Sequence, residues 1–202
     1  MGPDLLILLA ERGGTFVFAL SGGVAAVRRD MDLFGVITLA FLPAVGGGTL
    51  RDMLLDQPVF WLEDTAILAC AAGGGVVAFF AANAVDGFKP LRWADAMGLA
   101  LFAVTGAAKA AELGHGLAVM LLMGTITATF GGLLRDVVAN REPLVLKEDI
   151  YATAALLGAL IYALLVGSPA TEASAVLGGF VAAFVLRSAA ILFGLSLPRP
   201  RA

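Results

Sequence analysis

The chain is 202 residues long, 60% hydrophobic and 14% charged, with a formal net charge of −3 and a single cysteine. That apolar share is well above, and the charged share well below, those of a soluble domain, so the chain reads as a membrane protein with short loops and no appended soluble domain. The mild acidic balance argues against a nucleic-acid partner, and Cys70 alone excludes an internal disulfide and supplies no metal-ligand spacing, so no cofactor is expected.

Seven uncharged stretches follow one another, at 13–27, 33–50, 65–85, 96–108, 113–134, 150–171 and 173–186. Several reach the roughly 20 residues that a helix needs to cross about 30 Å of hydrocarbon, and apolar residues beyond a single charge continue the shorter ones. They are rich in Ala, Leu and Gly and lack period-2 alternation, which predicts helices rather than a barrel, because backbone groups in lipid must be satisfied within the segment. The expected fold class is all-α integral membrane, with seven transmembrane helices.

The first span carries "FALSG" at 18–22, in which Ser21 precedes a glycine. The second runs from about 33 to 55 and places Pro43, Gly46, Gly47, Gly48 and Thr49 ahead of Arg51 and Asp52. Glycine costs about 1 kcal/mol against alanine in a helix interior and proline removes a hydrogen bond, so a break or kink is expected there. The third span holds Cys70 and three successive glycines, 73–75. The fourth carries "FAVTG" at 102–106, with Thr105 before a glycine, then Lys109 and Glu112 on one face. Lys109 reads either as a voltage-responsive or path-blocking ammonium or as a helix-end lysine paired with Glu112. His115 falls in the tight "LGHG" turn, where an exposed loop residue is expected. The fifth span lines up Thr125, Thr127 and Thr129 beside Gly131 and Gly132, ahead of Arg135 and Asp136; without a proline, a milder bend is expected. Arg187, midway along the seventh, is expected to face protein and to form a structural ion pair.

An internal repeat runs through these spans. Gly47, Gly48, Leu50, Arg51 and Asp52 match Gly131, Gly132, Leu134, Arg135 and Asp136 at an offset of 131 − 47 = 84, and the same offset aligns Phe18–Gly22 with Phe102–Gly106 and Gly14 with Gly98. Three spans separate equivalent points, so the second copy enters the membrane from the opposite side. The domain reading is one membrane domain over 1–202, with repeat one at about 11–86, repeat two at about 95–168 and an extra helix at about 173–196. Inverted repeats of this kind serve transport proteins, with a pathway near the midplane between the halves.

Orientation follows from the basic residues. The connections after spans one, three and five and the carboxyl tail hold Arg28, Arg29, Lys89, Arg92, Arg135, Arg141, Lys147, Arg199 and Arg201, against Arg12 and Arg51 on the other side. That bias places the amino terminus outside and the carboxyl terminus in the cytoplasm.

The glycine clusters admit two readings, loosened backbone lining a water-filled path or small residues that let helices pack closely. Neighbouring helical residues point about 100° apart, so Arg51 and Asp52 are not expected to satisfy each other, and each of Arg51, Asp52, Arg135 and Asp136 needs another partner or water. They read as a charged gate or entrance, or as helix caps at the interface. Ser21 and Thr105, with Thr49 and Thr129 beside the glycines, offer oxygen to a partly dehydrated cation or hydrogen bonds between helices. The chain has no phosphate loop, no Gly-x-Ser-x-Gly elbow and no His-Glu-x-x-His pair, so an enzyme is not expected.

In its paired "GG-x-L-R-D" motifs, with "FALSGGVAAVRRDMDLFGV" and "ADAMGLALFAVTGAAKA", the chain resembles bacterial members of the trimeric intracellular cation channel family, relatives of which are also labelled glycine transporters. The resemblance covers roughly 14–165. It implies a seven-helix protomer of two inverted three-helix repeats, a homotrimer with a separate pore through each subunit, and permeation of monovalent cations, mainly potassium. It also implies pore-lining second and fifth helices kinked at Gly46, Gly47 and Gly48 and at Gly131 and Gly132, and a basic residue in the fourth helix best matched by Lys109. The lipid-contact motif of the family's animal members is replaced here by "GGGTLRD". A potassium-permeable channel in the bacterial inner membrane, in contact with membrane lipid, is the expectation; the rival is a secondary transporter of a small amino acid such as glycine.

Overall fold

The computed structural model of the chain describes residues 3–81, 89–147, 150–169 and 171–197. Among these residues every regular element is helical: α1 (Pro3–Val27), α2 (Leu33–Leu54), α3 (Phe60–Glu63), α4 (Ala66–Ala81), α5 (Lys89–Glu112), α6 (Leu117–Val138), α7 (Leu144–Lys147), α8 (Ala152–Val166) and α9 (Glu172–Phe193). Five of them, α1, α2, α5, α6 and α9, are long and apolar enough to cross a membrane, whereas α4 and α8 are apolar but shorter. Each uncharged stretch of the sequence falls on one of these seven helices. The far end of the third stretch, 82–85, and Arg199 and Arg201 of the charge count lie outside the described residues.

Helices α1 and α5 start well before their uncharged cores. The charges that the longer helices absorb have partners: Arg12 meets Asp64 at 2.9 Å, Glu11 meets Arg51 at 3.4 Å, and Asp95 meets Arg135 at 2.6 Å. A paired charge no longer forces the helix to end at the apolar boundary.

The two helices that carry the repeated motif end in the same way. In α2 the N–H of Gln57 donates to the Asp52 carbonyl, 2.9 Å, across Asp56 at φ 53°; in α6 the N–H of Arg141 donates to the Asp136 carbonyl, 2.8 Å, across Asn140 at φ 48°. This is the Schellman stop, in which one left-handed residue turns the chain back over the last carbonyls, and Asp and Asn are the non-glycine residues that best tolerate it. The chain is thereby turned sharply into α3 and α7, four residues each.

Of the break or kink expected at the glycines, the break is absent. Helix α2 runs through Pro43, Gly46, Gly47 and Gly48, and α6 through Gly131 and Gly132, without interruption. Packing overrides propensity here. Pro43 cannot donate to the Leu39 carbonyl, and Gly22 of α1 lies against that oxygen so closely that an added Cβ would stand 2.6 Å away. The glycines bring α2 and α6 into backbone contact: a Cβ at Gly47 would collide with the Thr127 carbonyl and one at Gly131 with the Pro43 carbonyl. Pro43 and Thr127 are themselves 84 residues apart, so the contact is reciprocal, and the two helices run in opposite directions where they cross. Helices α1 and α5 cross likewise, with Gly14 against Phe102, Gly98 against Phe18, and the Phe18 and Phe102 rings 5.2 Å apart.

Candidate functional site

Beyond the α2–α6 crossing, each helix ends in an Arg–Asp pair, and around each pair the fold assembles a charged cluster. At the end of α6, Arg135 donates from Nε to Asp136 Oδ1 at 2.9 Å and from Nη2 to Asp136 Oδ2 at 3.1 Å. Its Nη1 donates to Asp95 Oδ1 at 2.6 Å and to Ser21 Oγ at 2.9 Å. Tyr151 adds a hydroxyl donated to Asp95 Oδ1, 3.2 Å, and Asp136 Oδ2 also accepts the N–H of Leu144, the first residue of α7, at 3.1 Å. Arg135 and Asp95 are 0% exposed, so the whole constellation is removed from solvent.

At the end of α2, Arg51 donates from Nε to Asp52 Oδ1 at 2.7 Å, and Nη1 and Nη2 both stand 3.4 Å from Glu11 Oε1. Asp52 Oδ2 accepts the N–H of Phe60, the first residue of α3, at 2.9 Å, and the guanidinium lies 5.4 Å from the centre of the Phe60 ring. Every group has its counterpart 84 residues on: Glu11 with Asp95, Arg51 with Arg135, Asp52 with Asp136, Phe60 with Leu144. The repeated motif is thus a buckle. Arginine holds the aspartate, and the aspartate's second oxygen pins the short helix that follows.

The pairing of Arg51 with Asp52, and of Arg135 with Asp136, corrects the expectation that sequence neighbours could not satisfy each other. That expectation compared the directions of the Cα–Cβ bonds. An arginine side chain is long enough to curl along the helix end and present Nε sideways to the adjacent carboxylate, which a short side chain could not do.

A cavity of about 540 Å³ opens beside the first cluster. Its lining includes the carboxylates Glu11, Asp52, Glu63, Asp64, Glu112 and Glu172 against two basic groups, Arg51 and Lys109, with Phe60, Thr105 and Tyr162 among the uncharged ones. Both basic groups are already paired, Arg51 as above and Lys109 with Glu112 at 3.3 Å. Those partners are carboxylates of the same lining, and Arg12 holds a further one, Asp64, so six carboxylates are set against three basic groups and the cavity is net negative. At its rim the Arg12 guanidinium, hydrogen-bonded to Asp64 at 2.9 and 3.1 Å, holds that carboxyl below the usual carboxylate range. Trp61 Nε1 donates to Thr49 Oγ1 at 3.0 Å and ties α3 to α2.

The sequence-derived candidates separate on this geometry. Arg51, Asp52, Arg135 and Asp136 are buried in the two clusters, and Arg51 and Asp52 also line the cavity. Lys109, one-third exposed, is paired with Glu112 on the cavity wall. Ser21 is held by Arg135, whereas Thr105, buried, has no hydrogen-bond partner for its hydroxyl. Thr49 and Thr129 donate back to the carbonyls of Val45 and Thr125, 2.7 and 2.8 Å, as helix threonines commonly do. Arg187 faces protein, donating to the Ile150 carbonyl at 2.9 Å and lying 4.9 Å from the Tyr151 ring centre, and His115 is exposed. Glu11, Asp95, Phe60 and Tyr151 were not singled out from the sequence. The offset of 84 already paired Glu11 with Asp95, and that was the available signal.

Comparison with known proteins agrees with this duplication. A family model described as "Glycine transporter" matches residues 8–83 and again 92–167. A UPF0126 membrane protein of Vibrio cholerae is 38% identical over 199 residues, covering 96% of this chain and 82% of its own. The UPF0126 inner membrane protein YadS of Escherichia coli is 38% identical over 205 residues, 96% of each. Among solved structures, a TRIC trimeric intracellular cation channel orthologue from Rhodobacter sphaeroides superposes with a TM-score of 0.90 at 41% identity, over 94% of this chain and 98% of that one. A prokaryotic TRIC channel crystallised in 0.5 M KCl superposes at 0.89 and 30% identity, over 96% and 100%. A trimeric intracellular cation channel from C. elegans shares the fold at 0.62 and 14% identity.

Proposed function

The chain belongs to the family of the trimeric intracellular cation channels, and on that premise we propose that it is a passive channel for monovalent cations, potassium among them, with a pathway through each protomer. The observation that carries the reading is the cavity, whose six carboxylates outnumber the three basic groups paired with them, Arg12, Arg51 and Lys109, and leave it net negative. Such a lining concentrates cations at a mouth and repels anions.

The protomer is read as two inverted three-helix repeats, α1, α2 and α4 against α5, α6 and α8, with α9 outside the repeat; the reciprocal contacts of α2 with α6 and of α1 with α5 support it. The pathway descends from the cavity between α2 and α6, and the contact of Gly47 and Gly131 with the opposing carbonyls is its constriction, closed in the present arrangement. Gly46, Gly47, Gly48, Gly131 and Gly132 are the places at which the two helices separate or bend to open it. With the amino terminus outside, the cavity faces away from the cytoplasm and the Arg135 cluster faces it. Lys109 is a counter-charge on the cavity wall. A homotrimer in a bacterial inner membrane, in contact with lipid, and no enzymatic step complete the reading.

The rival, a carrier for a zwitterion such as glycine, draws on one observation: the cavity opens beside one cluster while the equivalent cluster is filled, as alternating access would have it. Against it, no basic side chain on the cavity lining is left unpaired to receive a carboxylate. Purified protein in a planar bilayer under a potassium gradient distinguishes the two. The channel gives discrete unitary currents reversing near the potassium potential; saturable glycine uptake without such currents overturns the proposal.

A further inference from the structure

Helix α9 lies beyond the duplicated segment, and the packing shows where it has been admitted. Gly74 of α4 lies directly on α1, so that an added Cβ there would stand 2.6 Å from both Ala19 Cβ and the Phe16 carbonyl oxygen. At its counterpart in α8, Gly158, the distance to Ala103 of α5 widens to 3.6 Å, and the added Cβ would instead meet the Gly179 carbonyl of α9 at 2.9 Å. A Cβ at Gly179 would in turn stand 2.8 Å from the Gly158 carbonyl oxygen. Backbone contact this close fixes the register of α8 against α9. Eight residues back from Gly158 is Ile150, and eight on from Gly179 is Arg187. The register thus delivers a buried guanidinium to the entry of α8, where Nη1 donates to the Ile150 carbonyl at 2.9 Å and the group lies 4.9 Å from the Tyr151 ring centre.

Tyr151 carries that contact to the end of α6. Its hydroxyl donates to Asp95 Oδ1 at 3.2 Å, the oxygen that Arg135 Nη1 also holds, and it sits in a socket left by a missing side chain: a Cβ at Gly132 would stand 2.6 Å from the hydroxyl oxygen. The matching glycine of α2, Gly48, leaves a socket too, but the Phe60 ring of α3 fills it, and the position matching Tyr151 holds Ile67. The first plug therefore comes from the chain that continues α2, whereas the second is brought in by α8 and anchored by α9. We propose that α9 is a latch, in which Arg187 positions Tyr151 in the Gly132 socket and so holds the end of α6 to α5. A guanidinium set over an aromatic ring and bonded to the carbonyl before it fixes both the ring and the backbone that carries it. The functional consequence rests on the channel reading: α6 must part from α2 for cations to pass, the latch opposes that movement, and Arg187 biases the gating equilibrium from a position off the cavity lining.

A double-mutant cycle on the full chain tests the latch, read once in planar bilayers under a potassium gradient and once by thermal unfolding in detergent. Arg187→Met and Tyr151→Phe are each expected to raise open probability at a fixed voltage by about fivefold, the factor of one hydrogen bond's net worth. Unitary conductance should stay at the parent value, since neither side chain lines the cavity. The two changes combined should do no more than the larger alone, because they break the same latch. Arg187→Lys, which keeps a cation and a donor, should fall between Arg187→Met and the parent, and it completes the cycle where Arg187→Met does not fold. Phe184→Leu is the control: it trims the ring contacts of α9 with Trp93 and Phe180 without touching Tyr151, and should lower the melting temperature while leaving open probability unchanged. Open probability unmoved by both single changes, effects that multiply in the double variant, or an equal rise in Phe184→Leu would overturn the latch. If the unmodified protein gives no unitary currents, the channel reading fails by itself and the melting temperatures decide the latch, non-additive losses upholding it and additive losses overturning it.

Discussion

At the end of α6, Arg135 has every polar edge engaged, and Tyr151 closes the remaining space with a hydroxyl on Asp95. At the end of α2, the same architecture holds Arg51 by one short bond and two long ones, and a cavity lies where the second cluster is solid. Small differences between equivalent positions separate them, Ser21 against Thr105 among them. Glu11 has one methylene more than Asp95, Phe60 places a ring over the guanidinium where Leu144 makes no such contact, and Ile67 stands where Tyr151 donates. A duplicated sequence can thus build one closely bonded cluster and one that borders a cavity from the same motif, because short bonds from Arg135 to Asp95, Asp136 and Ser21 hold the first and only one short bond holds Arg51 in the second.

The comparison breaks most visibly at the arginines. Arg135→Ala strands Asp95 and Asp136, both buried, and is expected to cost about 3–5 kcal/mol, as removing one partner of a buried pair does. Arg51→Ala is expected to cost less, because Glu11, its side chain 21% exposed, borders a cavity that admits water. Unfolding in detergent followed by tryptophan fluorescence measures both, and an equal loss would mean that the clusters are energetically alike.

The crossing between the clusters should be symmetric where they are not. Gly47→Ala and Gly131→Ala each push a methyl into a backbone carbonyl and are expected to cost about 1–3 kcal/mol each. Gly46→Ala is milder, since its added Cβ meets only the flexible end of Leu134, at 2.8 Å. Tolerance at either Gly47 or Gly131 alone would show the contact to be one-sided. A smaller effect is expected at Tyr151→Phe, which removes one hydrogen bond, worth about 0.5–1.5 kcal/mol, and loosens the Arg135 cluster.

The smallest effect lies at the rim. Because Arg12 lowers the Asp64 carboxyl in the folded protein, that pair adds stability above the ordinary Asp range, near pH 3.9, and loses it as the pH falls through the lower folded value. Melting temperature followed from about pH 5 downward should therefore fall less steeply in Arg12→Ala than in the parent. Identical slopes would remove Arg12 from the account of the mouth.

Much of this architecture is legible in the chain itself. Apolar stretches locate the seven longer helices because lipid demands uninterrupted hydrophobic length, and the offset of 84 pairs the residues of the two clusters. The partners are harder to read. Glu11 stands outside the uncharged core of its span and does not match Asp95 by identity, and Tyr151 sits between elements with no pattern around it. The unbroken passage of α2 through Pro43 and three glycines also runs against local propensity, since the cost is set against backbone contacts with α1 and α6 that no single helix reveals.

The most direct test of a cation pathway with one negative mouth is single-channel recording with Glu63→Gln and Glu172→Gln combined, both on the cavity lining and outside the two clusters. At low salt, where the Debye length is about 30 Å at 0.01 M, conductance should fall for potassium entering from the cavity side and hold for potassium entering from the Arg135 side. At about 1 M salt, where that length is about 3 Å, the difference should vanish. An equal loss from both sides, or none from either, would contradict the account.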